Sequence, residues 1–544
     1  MKKQGYLIFL IVILGVILRT AFLNKTEGLW NDEYVSYMIS ARPFFKDFWQ
    51  GIVSQCHMPL YYLYLKLSMG IFGDNDIILR STSVFAGMLS IIAMYYTGKT
   101  KDVKTGLITA LFTAISSFLI YYSQEVRLYS LLFLFSALSL LTTLNLIKIQ
   151  SRKNLTFYII TNLLVIFTHT IGFVYVAFNL LFVSIMLFEK HRNLITKLWS
   201  ITGLGTIFAT PLIFKIFTTQ SFSQWWGHFT ISKIGFLFTD YFSPVLTNLI
   251  NAPDIFFYDK SLKFIICAIV PAVIAILWII KSIKSKTEAG LIGICAAVIT
   301  VMVIAAISGK LVFTTKYSIE IYPILIYLAS KGALEINNKI LKNSLIIIFC
   351  LINALYLILS PVSAPKIKRA EGHKIVADML TRANIKKGDI ILLTYYDYDR
   401  FKKYFDFSDY QVVSINKGNF NYYLTPDTTY NDAYKNGKTL YRNVFTDYNN
   451  KNFEKQIEKK ILKKMKKDQS LYLITLDSVS NLQPEQVANI VNNDGLYNRT
   501  PLLFLVFSYV KSEAFNILAK PLSIVHFEVK GNWRLIKLTK LNNN

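Results

Sequence analysis

Acidic side chains are scarce in this chain. Asp and Glu number 33 against 59 Lys and Arg, and only 15 of the acids fall in the first 360 residues. Charge of both signs together reaches 17%, less than the ~25% of an average soluble domain. A soluble protein of 544 residues would divide into several domains with more charge than this. Cysteine is also rare. Cys56, Cys267, Cys295 and Cys350 lack metal-ligand spacing, and three of them lie in apolar runs, which argues against a disulfide framework. No basic helix or nucleic-acid module accompanies the net charge of +26. Internal repeats with matching broken segments, the mark of many transporters, are missing too.

What is present is apolar. The chain is 53% hydrophobic, with a mean hydropathy of +0.39. Its lysines recur in short clusters between apolar runs, the pattern of a multi-span membrane protein. A bilayer core takes ~20 apolar residues per helix. By that measure residues 6–23, 77–98, 105–122, 127–147, 155–169, 171–188, 196–217, 261–281, 288–308, 316–331 and 343–360 are eleven candidate spans. No small-residue cleavage motif follows the first, so it reads as a retained span. Basic clusters at Lys2–Lys3, Lys99–Lys104, Lys148–Lys153, Lys190–Lys197, Lys281–Lys286 and Lys331–Lys342 all fall on one side if all eleven spans are real. The N-terminus is then cytoplasmic and everything after residue 361 outside.

The expected fold is therefore an all-α polytopic membrane domain of about eleven transmembrane helices, residues 1–360, followed by an extracytoplasmic soluble α/β domain, residues 361–544. The second part holds 29 basic and 18 acidic side chains and no membrane-length apolar run. Within it ILLTYY (391–396), LYLITL (471–476) and LLFLVFSYV (502–510) read as buried strands, and FEKQIEKKILKKMKK (453–467) as an amphipathic helix. In the long outer segment 24–76, residues 33–49 and 57–72 have apolar residues on a helical repeat interrupted by charge. They are expected to lie along the membrane surface. The loop 218–260 carries Trp225 and Trp226, suited equally to interface anchoring and to stacking on sugar.

Against this scarcity of acid, GLWNDEYVSY places Asp32 and Glu33 side by side where the first span ends. A carboxylate beside a bilayer is costly unless it is hydrated, paired or used. Other polar groups fall at the same predicted depth. His57 opens HMPLYYLYLK, and Arg80 enters the second span. YYSQEVRLYS carries Glu125 and Arg127, THTIG carries His169, and FTTKYSIEIYP carries Lys316, Tyr317 and Glu320. Acids and cations interleaved there can surround an anionic lipid head and activate a nearby hydroxyl.

In this order, WNDEYVSY, HMPLYYLYLK, YYSQEVRLYS, THTIG and TTKYSIEIYP resemble the GT-C membrane glycosyltransferases, over about residues 1–360. The resemblance is strongest to the bacterial branch of glycosyltransferase family 39, akin to protein O-mannosyltransferases and lipid A aminoarabinose transferases. It implies a polyprenyl-phosphate-linked sugar donor, an envelope glycan, lipid or protein acceptor, and transfer on the outer face of the cell membrane, with inversion. It matches Asp32 to the acid that deprotonates the acceptor hydroxyl, with Glu33 its partner in the catalytic pair, and sets Arg127 and Lys316 against the donor phosphate. His57, Arg80, Glu125, His169, Tyr317 and Glu320 are further active-site candidates. The chain departs from the family in having His57-Met58-Pro59 for His-Pro-Pro and Lys316-Tyr317 for Arg-Tyr. Lysine neutralises phosphate as a point charge without the bidentate grip of arginine.

The chemistry requires no metal, although Asp32, Glu33 or Glu125 could hold Mg²⁺ or Mn²⁺ through hard oxygen ligands. Asp397-Tyr398-Asp399 imitates the DxD of nucleotide-sugar transferases without a nucleotide-binding context. Glu320 stands four residues after Lys316, where a local ion pair is as good a reading as a catalytic one. His169 serves equally as a turn cap, and the lysine-rich helix at 453–467 as a solvated face. A polymerase or ligase of lipid-linked oligosaccharides, a flippase for lipid-linked sugars and a non-catalytic scaffold are the rival functions.

Overall fold

The computed structural model describes residues 2–21, 23, 28–54, 57–189, 191–212, 214, 229–243, 262–311, 313–359, 373–383, 385–394, 403–416, 419–423, 470–476, 522–530 and 533–540. Two compact units emerge: residues 1–26 and 31–369, and residues 27–30 and 370–544. Trp225, Trp226, the Asp397–Asp399 triplet, the predicted helix at 453–467 and the predicted strand at 502–510 lie outside the described residues.

The larger unit is helical. In chain order its described elements begin with α1 (Lys2–Thr20), α2 (Asn31–Ala41), a π-helical turn (Phe44–Phe48), α3 (Trp49–Ser54) and α4 (Leu60–Phe72). There follow α5 (Asp76–Lys99), α6 (Val103–Ile115), α7 (Ser117–Ser123), α8 (Tyr129–Lys148), α9 (Arg152–Thr168), α10 (Thr170–Leu187) and α11 (Arg192–Ile207). Then come α12 (Ser232–Phe242), α13 (Leu262–Ser282), α14 (Lys286–Ile307), a 3-10 turn (Thr315–Ile321), α15 (Tyr322–Leu334) and α16 (Lys339–Leu359). Segments 33–49 and 57–72, expected as surface helices, correspond to α2 with the π-helical turn and to α4.

The expectation of about eleven spans is corrected. Among the described residues four helices are long and apolar enough to cross a membrane: α5, α8, α10 and α14. A fifth is gained if α6 and α7, which meet at a 59° bend, are taken as one broken span. Four of the other apolar runs are broken or short, whereas α1, α13 and α16 are continuous over 19, 21 and 21 residues. The run at 105–122 breaks at Ser116, whose backbone is extended and whose Oγ caps α7 by accepting from Leu119 N–H at 3.4 Å. The run at 316–331 loses its first turn to the 3-10 segment, so α15 keeps 13 residues. Helices α9 and α11 have 17 and 16 residues. A window average registers apolar content but not these breaks.

Small residues and polar side chains join the spans, as expected where lipid supplies no hydrophobic drive between helices. A Cβ on Gly98 of α5 would lie 2.7 Å from Gly106 Cα of α6, so the two backbones require glycine at their crossing. Asn179 Nδ2 on α10 donates to Thr143 Oγ1 and Ser139 Oγ on α8 and to Asn162 Oδ1 on α9, at 3.0–3.2 Å.

The smaller unit contains a six-stranded mixed sheet of β1 (Ile390–Thr394), β2 (Gln411–Asn416), β3 (Asn419–Tyr423), β4 (Ser470–Leu476), β5 (Leu522–Lys530) and β6 (Trp533–Lys540). Its strand order is β3-β2-β1-β4-β6-β5. Strand β1 runs parallel to both β2 and β4, while the remaining pairings are antiparallel. The helix α17 (His373–Arg382) places Ile375, Val376, Met379 and Leu380 against Ile391 of β1 and Phe407, which is one α/β layer contact.

Candidate active site

Asp32 and Glu33 occupy the first turn of α2, where the positive end of the helix dipole favours carboxylates. Their environments differ. Glu33 is buried, and Arg80 Nε and Nη2 donate to its two oxygens at 2.9 and 2.6 Å. Val126 N–H adds a third bond to Glu33 Oε1 at 3.0 Å. This bidentate fork fastens α2 to the start of α5 and to the turn after α7. Asp32 is partly open, its side chain 23% exposed, with Oδ2 lying 3.8 Å from Arg127 Nη2 and 3.6 Å from Lys316 Nζ.

Arg127 reaches Asp32 because the broken helix is anchored from α1. The guanidinium of Arg19, fully buried, donates to Thr113 O at 2.9 Å and Ala114 O at 3.0 Å, two carbonyls stranded by the break at Ser116. In return, Gln124 Nε2 donates to Leu18, Arg19 and Ala21 carbonyls at the end of α1, at 3.4, 3.1 and 2.9 Å. The turn 124–128 closes with Arg127 N–H donating to Glu125 O at 2.8 Å, and Glu125 is buried within it. Arg127 Nη1 then donates to Asp32 O at 3.2 Å and to Ser36 Oγ at 3.4 Å. The Arg127 pKa is raised: burial opposes the charge, but Asp32, Tyr129 and Tyr62 outweigh it.

Lys316 enters on the 3-10 turn. Its ammonium lies 5.8 Å from the Tyr129 ring centre and 5.4 Å from that of Tyr317, and Arg127 approaches Tyr129 at 5.8 Å from its own side. Tyr129 is thus flanked by the two cations that flank Asp32. The Lys316 pKa is raised, with burial outweighed by Tyr129, Tyr317 and Asp32. His169, between α9 and α10, stacks on Tyr317 at 5.8 Å, and His57 stacks on Tyr62 at 5.4 Å. Burial and the cations Arg127 and Lys316 push both imidazoles down to about 3, aided at His57 by His169 and opposed there by Asp32. Both rings are therefore neutral at physiological pH, and His169 Nδ1 is buried with no protein partner among the described residues.

The structure thus brings Asp32, Glu33, His57, Arg80, Glu125, Arg127, His169, Lys316 and Tyr317 onto one end of the helical unit. Glu320 stands apart. It is fully buried, neither carboxyl oxygen has a hydrogen-bond partner among the described residues, and burial raises it to about 8. Among the described residues it makes no ion pair with Lys316, which pairs with Asp32. Sequence reasoning missed Arg19, Gln124, Ser36 and Tyr129. Gln124 and Tyr129 lie inside the YYSQEVRLYS stretch, but only the fold reveals that one caps α1 and the other separates two cations. No three His, Cys, Asp or Glu side chains converge as a metal site among the described residues, and both Glu33 oxygens are already bound to Arg80.

Residues 56–217 match the model of a family described as dolichyl-phosphate-mannose-protein mannosyltransferase. No curated protein matches the chain by sequence. Among solved structures, ArnT from Cupriavidus metallidurans in the apo state is 10% identical, with a TM-score of 0.54 over 99% of this chain and 98% of that one. The same ArnT bound to undecaprenyl phosphate is 12% identical, with a TM-score of 0.51 over 98% of each chain. An oligosaccharyltransferase from Archaeoglobus fulgidus in the apo form is 11% identical over 99% of this chain and 75% of that one, with a TM-score of 0.47. The chain thus has the GT-C fold of the membrane glycosyltransferases and is similar, over residues 56–217, to the dolichyl-phosphate-mannose-protein mannosyltransferases.

Proposed function

We propose that the chain transfers a sugar from a polyprenyl-phosphate-linked donor to an acceptor hydroxyl on the outer face of the cell membrane, with Asp32 as the general base. The observation that carries this is the placement of Asp32 Oδ2 between Arg127 at 3.8 Å and Lys316 at 3.6 Å. One carboxylate and two cations, largely screened from water, are what such a transfer needs. Asp32 takes the hydroxyl proton as the acceptor oxygen attacks the anomeric carbon. The bond from that carbon to the phosphate oxygen breaks, and its electron pair leaves with the lipid phosphate. Arg127 and Lys316 stabilise the added charge. The undecaprenyl phosphate of the ArnT complex is the donor class this reading adopts. Glu33, with its oxygens engaged by Arg80 and Val126, positions rather than reacts.

Before the donor arrives, Asp32 is held by the cations that the phosphate would use. The phosphodiester of the donor carries one negative charge, as the carboxylate does, and competes with it for both cations. Donor binding in this reading therefore loosens Asp32 and readies it for the hydroxyl. The outer-face orientation rests on the long helices themselves. Helix α5 ends at Lys99, α8 at Lys148 and α14 begins at Lys286. Basic residues favour the cytoplasmic side, so those lysine-bearing ends are cytoplasmic and the site, at the opposite ends of α5 and α8, faces outward.

The test is sugar transfer by the purified full chain in lipid nanodiscs, given polyprenyl-phosphate sugars and an envelope extract as acceptor. Transfer of a single sugar that ceases in Asp32→Asn supports the reading. Transfer of whole oligosaccharides makes the chain a ligase, and lipid-linked sugar crossing the bilayer without transfer makes it a flippase.

A further inference from the structure

The turn that carries Lys316 is a poor support by itself. It is a 3-10 segment interrupted at Ser318, whose φ of −115° and ψ of 19° are not helical. Such turns are short and their internal hydrogen bonds poorly aligned. A kink also strands backbone carbonyls that need donors when buried. Lys316 has a long, rotamer-rich stem, so a small tilt of this turn displaces its ammonium from Asp32 and Tyr129.

The missing support comes from the end of α12. Thr315 Oγ1 donates to Asp240 Oδ2 at 2.6 Å. Tyr241 Oη donates to Ser318 O at 2.7 Å, lies 2.8 Å from Ser318 Oγ and reaches Thr315 O at 3.5 Å. Below the turn, the Tyr241 and Tyr322 rings stack at 4.3 Å and 9°, and Tyr322 Oη donates to Tyr241 O. Asp240, Thr315 and Ser318 are fully buried or nearly so, as is Tyr241. These bonds bracket Lys316, falling one residue before it and two after it. The Lys316 ammonium itself turns toward Asp32.

We infer that Asp240 and Tyr241 are positioning residues for Lys316, locking its turn to α12 so that its ammonium is presented to a lipid phosphate. The assignment rests on the donor reading proposed above. It makes α12 a second determinant of donor affinity, although the cations paired with Asp32 among the described residues come from other elements. A burial-only role for these residues would affect stability without regard to Lys316. A positioning role acts only through Lys316.

That difference is measurable as a double-mutant cycle on polyprenyl monophosphate binding to the full chain in nanodiscs. Thr315→Val keeps the shape and removes the hydroxyl that Asp240 accepts from, whereas Thr315→Ser keeps it. Thr315→Val should weaken binding about tenfold, ~1.4 kcal/mol, and Thr315→Ser should bind within about twofold of the native chain. Tyr241→Phe, which loses the bonds to Ser318, should weaken binding in the same direction. On a Lys316→Ala background, Thr315→Val should cost nothing further, because the group it positions is gone. Native-like binding by both Thr315→Val and Tyr241→Phe, or losses that add fully to that of Lys316→Ala, would overturn the assignment and leave the donor reading standing. Failure of the native chain to bind polyprenyl monophosphate would overturn both.

Discussion

Replacing Asp32 by Asn should affect catalysis and donor binding in opposite directions. Asn keeps the side-chain shape, but the basic oxygen and the negative charge are lost. Loss of the base should reduce turnover by ~10²-fold or more, the ordinary worth of a positioned general base. Loss of the charge has a second consequence. Asp32 Oδ2 lies 3.6 Å from Lys316 and 3.8 Å from Arg127, so it competes with any phosphate for both. Two unit charges 4 Å apart interact by about 4 kcal/mol at an effective dielectric of 20. With the Asp32 side chain 23% exposed, water and the cost of holding the pair reduce the net effect to ~1 kcal/mol. Asp32→Asn should therefore bind polyprenyl monophosphate about fivefold tighter while transferring sugar at least ~10²-fold more slowly. Single-turnover transfer and equilibrium binding on the same nanodisc preparation provide both numbers. A misfolded variant would lose both activities, so the opposite signs are diagnostic. Near-normal transfer would remove Asp32 as base, and weaker phosphate binding would refute the competition between carboxylate and phosphate.

Arg127→Ala and Lys316→Ala should each raise the donor KM by about tenfold or more, since a hydrogen bond to a charged group is worth ~1.5–3 kcal/mol; unchanged donor dependence in both would locate the phosphate elsewhere. Glu33→Gln strands the buried Arg80 charge and should cost ~3–5 kcal/mol of stability, read as a lower unfolding midpoint, whereas the paired change Glu33→Gln with Arg80→Met should recover much of it. Glu320 is raised from its ordinary 4.5 to about 8 by burial, so the folded chain holds a proton that the unfolded chain has released. Its contribution to stability is present below about pH 4.5 and is lost as the pH rises toward 8. The unfolding temperature of Glu320→Gln should accordingly fall less steeply than that of the native chain across this window, and parallel slopes would refute the burial argument.

The membrane character of the first 360 residues was legible because mean hydropathy and lysine placement record the solvent of each helix. The number of spans was not. Eleven windows met an average, yet Ser116 divides one run into α6 and α7 at a 59° bend, and Ser318 converts the head of another into a 3-10 turn. Each break depends on distant groups that satisfy the freed carbonyls, Arg19 at the first and Tyr241 at the second. Neither partner is adjacent in sequence to the residue it rescues, so no local window could register the break. The alternation of basic clusters, which required all eleven spans, falls with that count; the proposed orientation rests instead on the lysine-bearing ends of α5, α8 and α14. In the second unit, ILLT and LYLITL are found in adjacent parallel strands β1 and β4, since continuous apolar runs suit strands covered on both faces.

The site residues were legible by type and order but not by task. Asp32 and Glu33 are neighbours with the same functional group, and sequence treats them as a pair. A helix turn separates adjacent side chains by about 100°, and that rotation gives the two acids different partners. Glu33 turns inward, where Arg80 and Val126 take both oxygens. Asp32 turns toward Arg127 and Lys316 with a quarter of its side chain still open. A base must be reachable by substrate and must have an oxygen to give, conditions that only Asp32 of the two meets. The acid-poor composition then has a local meaning. In a chain with 15 acids over its first 360 residues, a carboxylate between two cations at a membrane face is sustained by the rest of the fold: Arg19 and Gln124 support Arg127, and α12 supports Lys316.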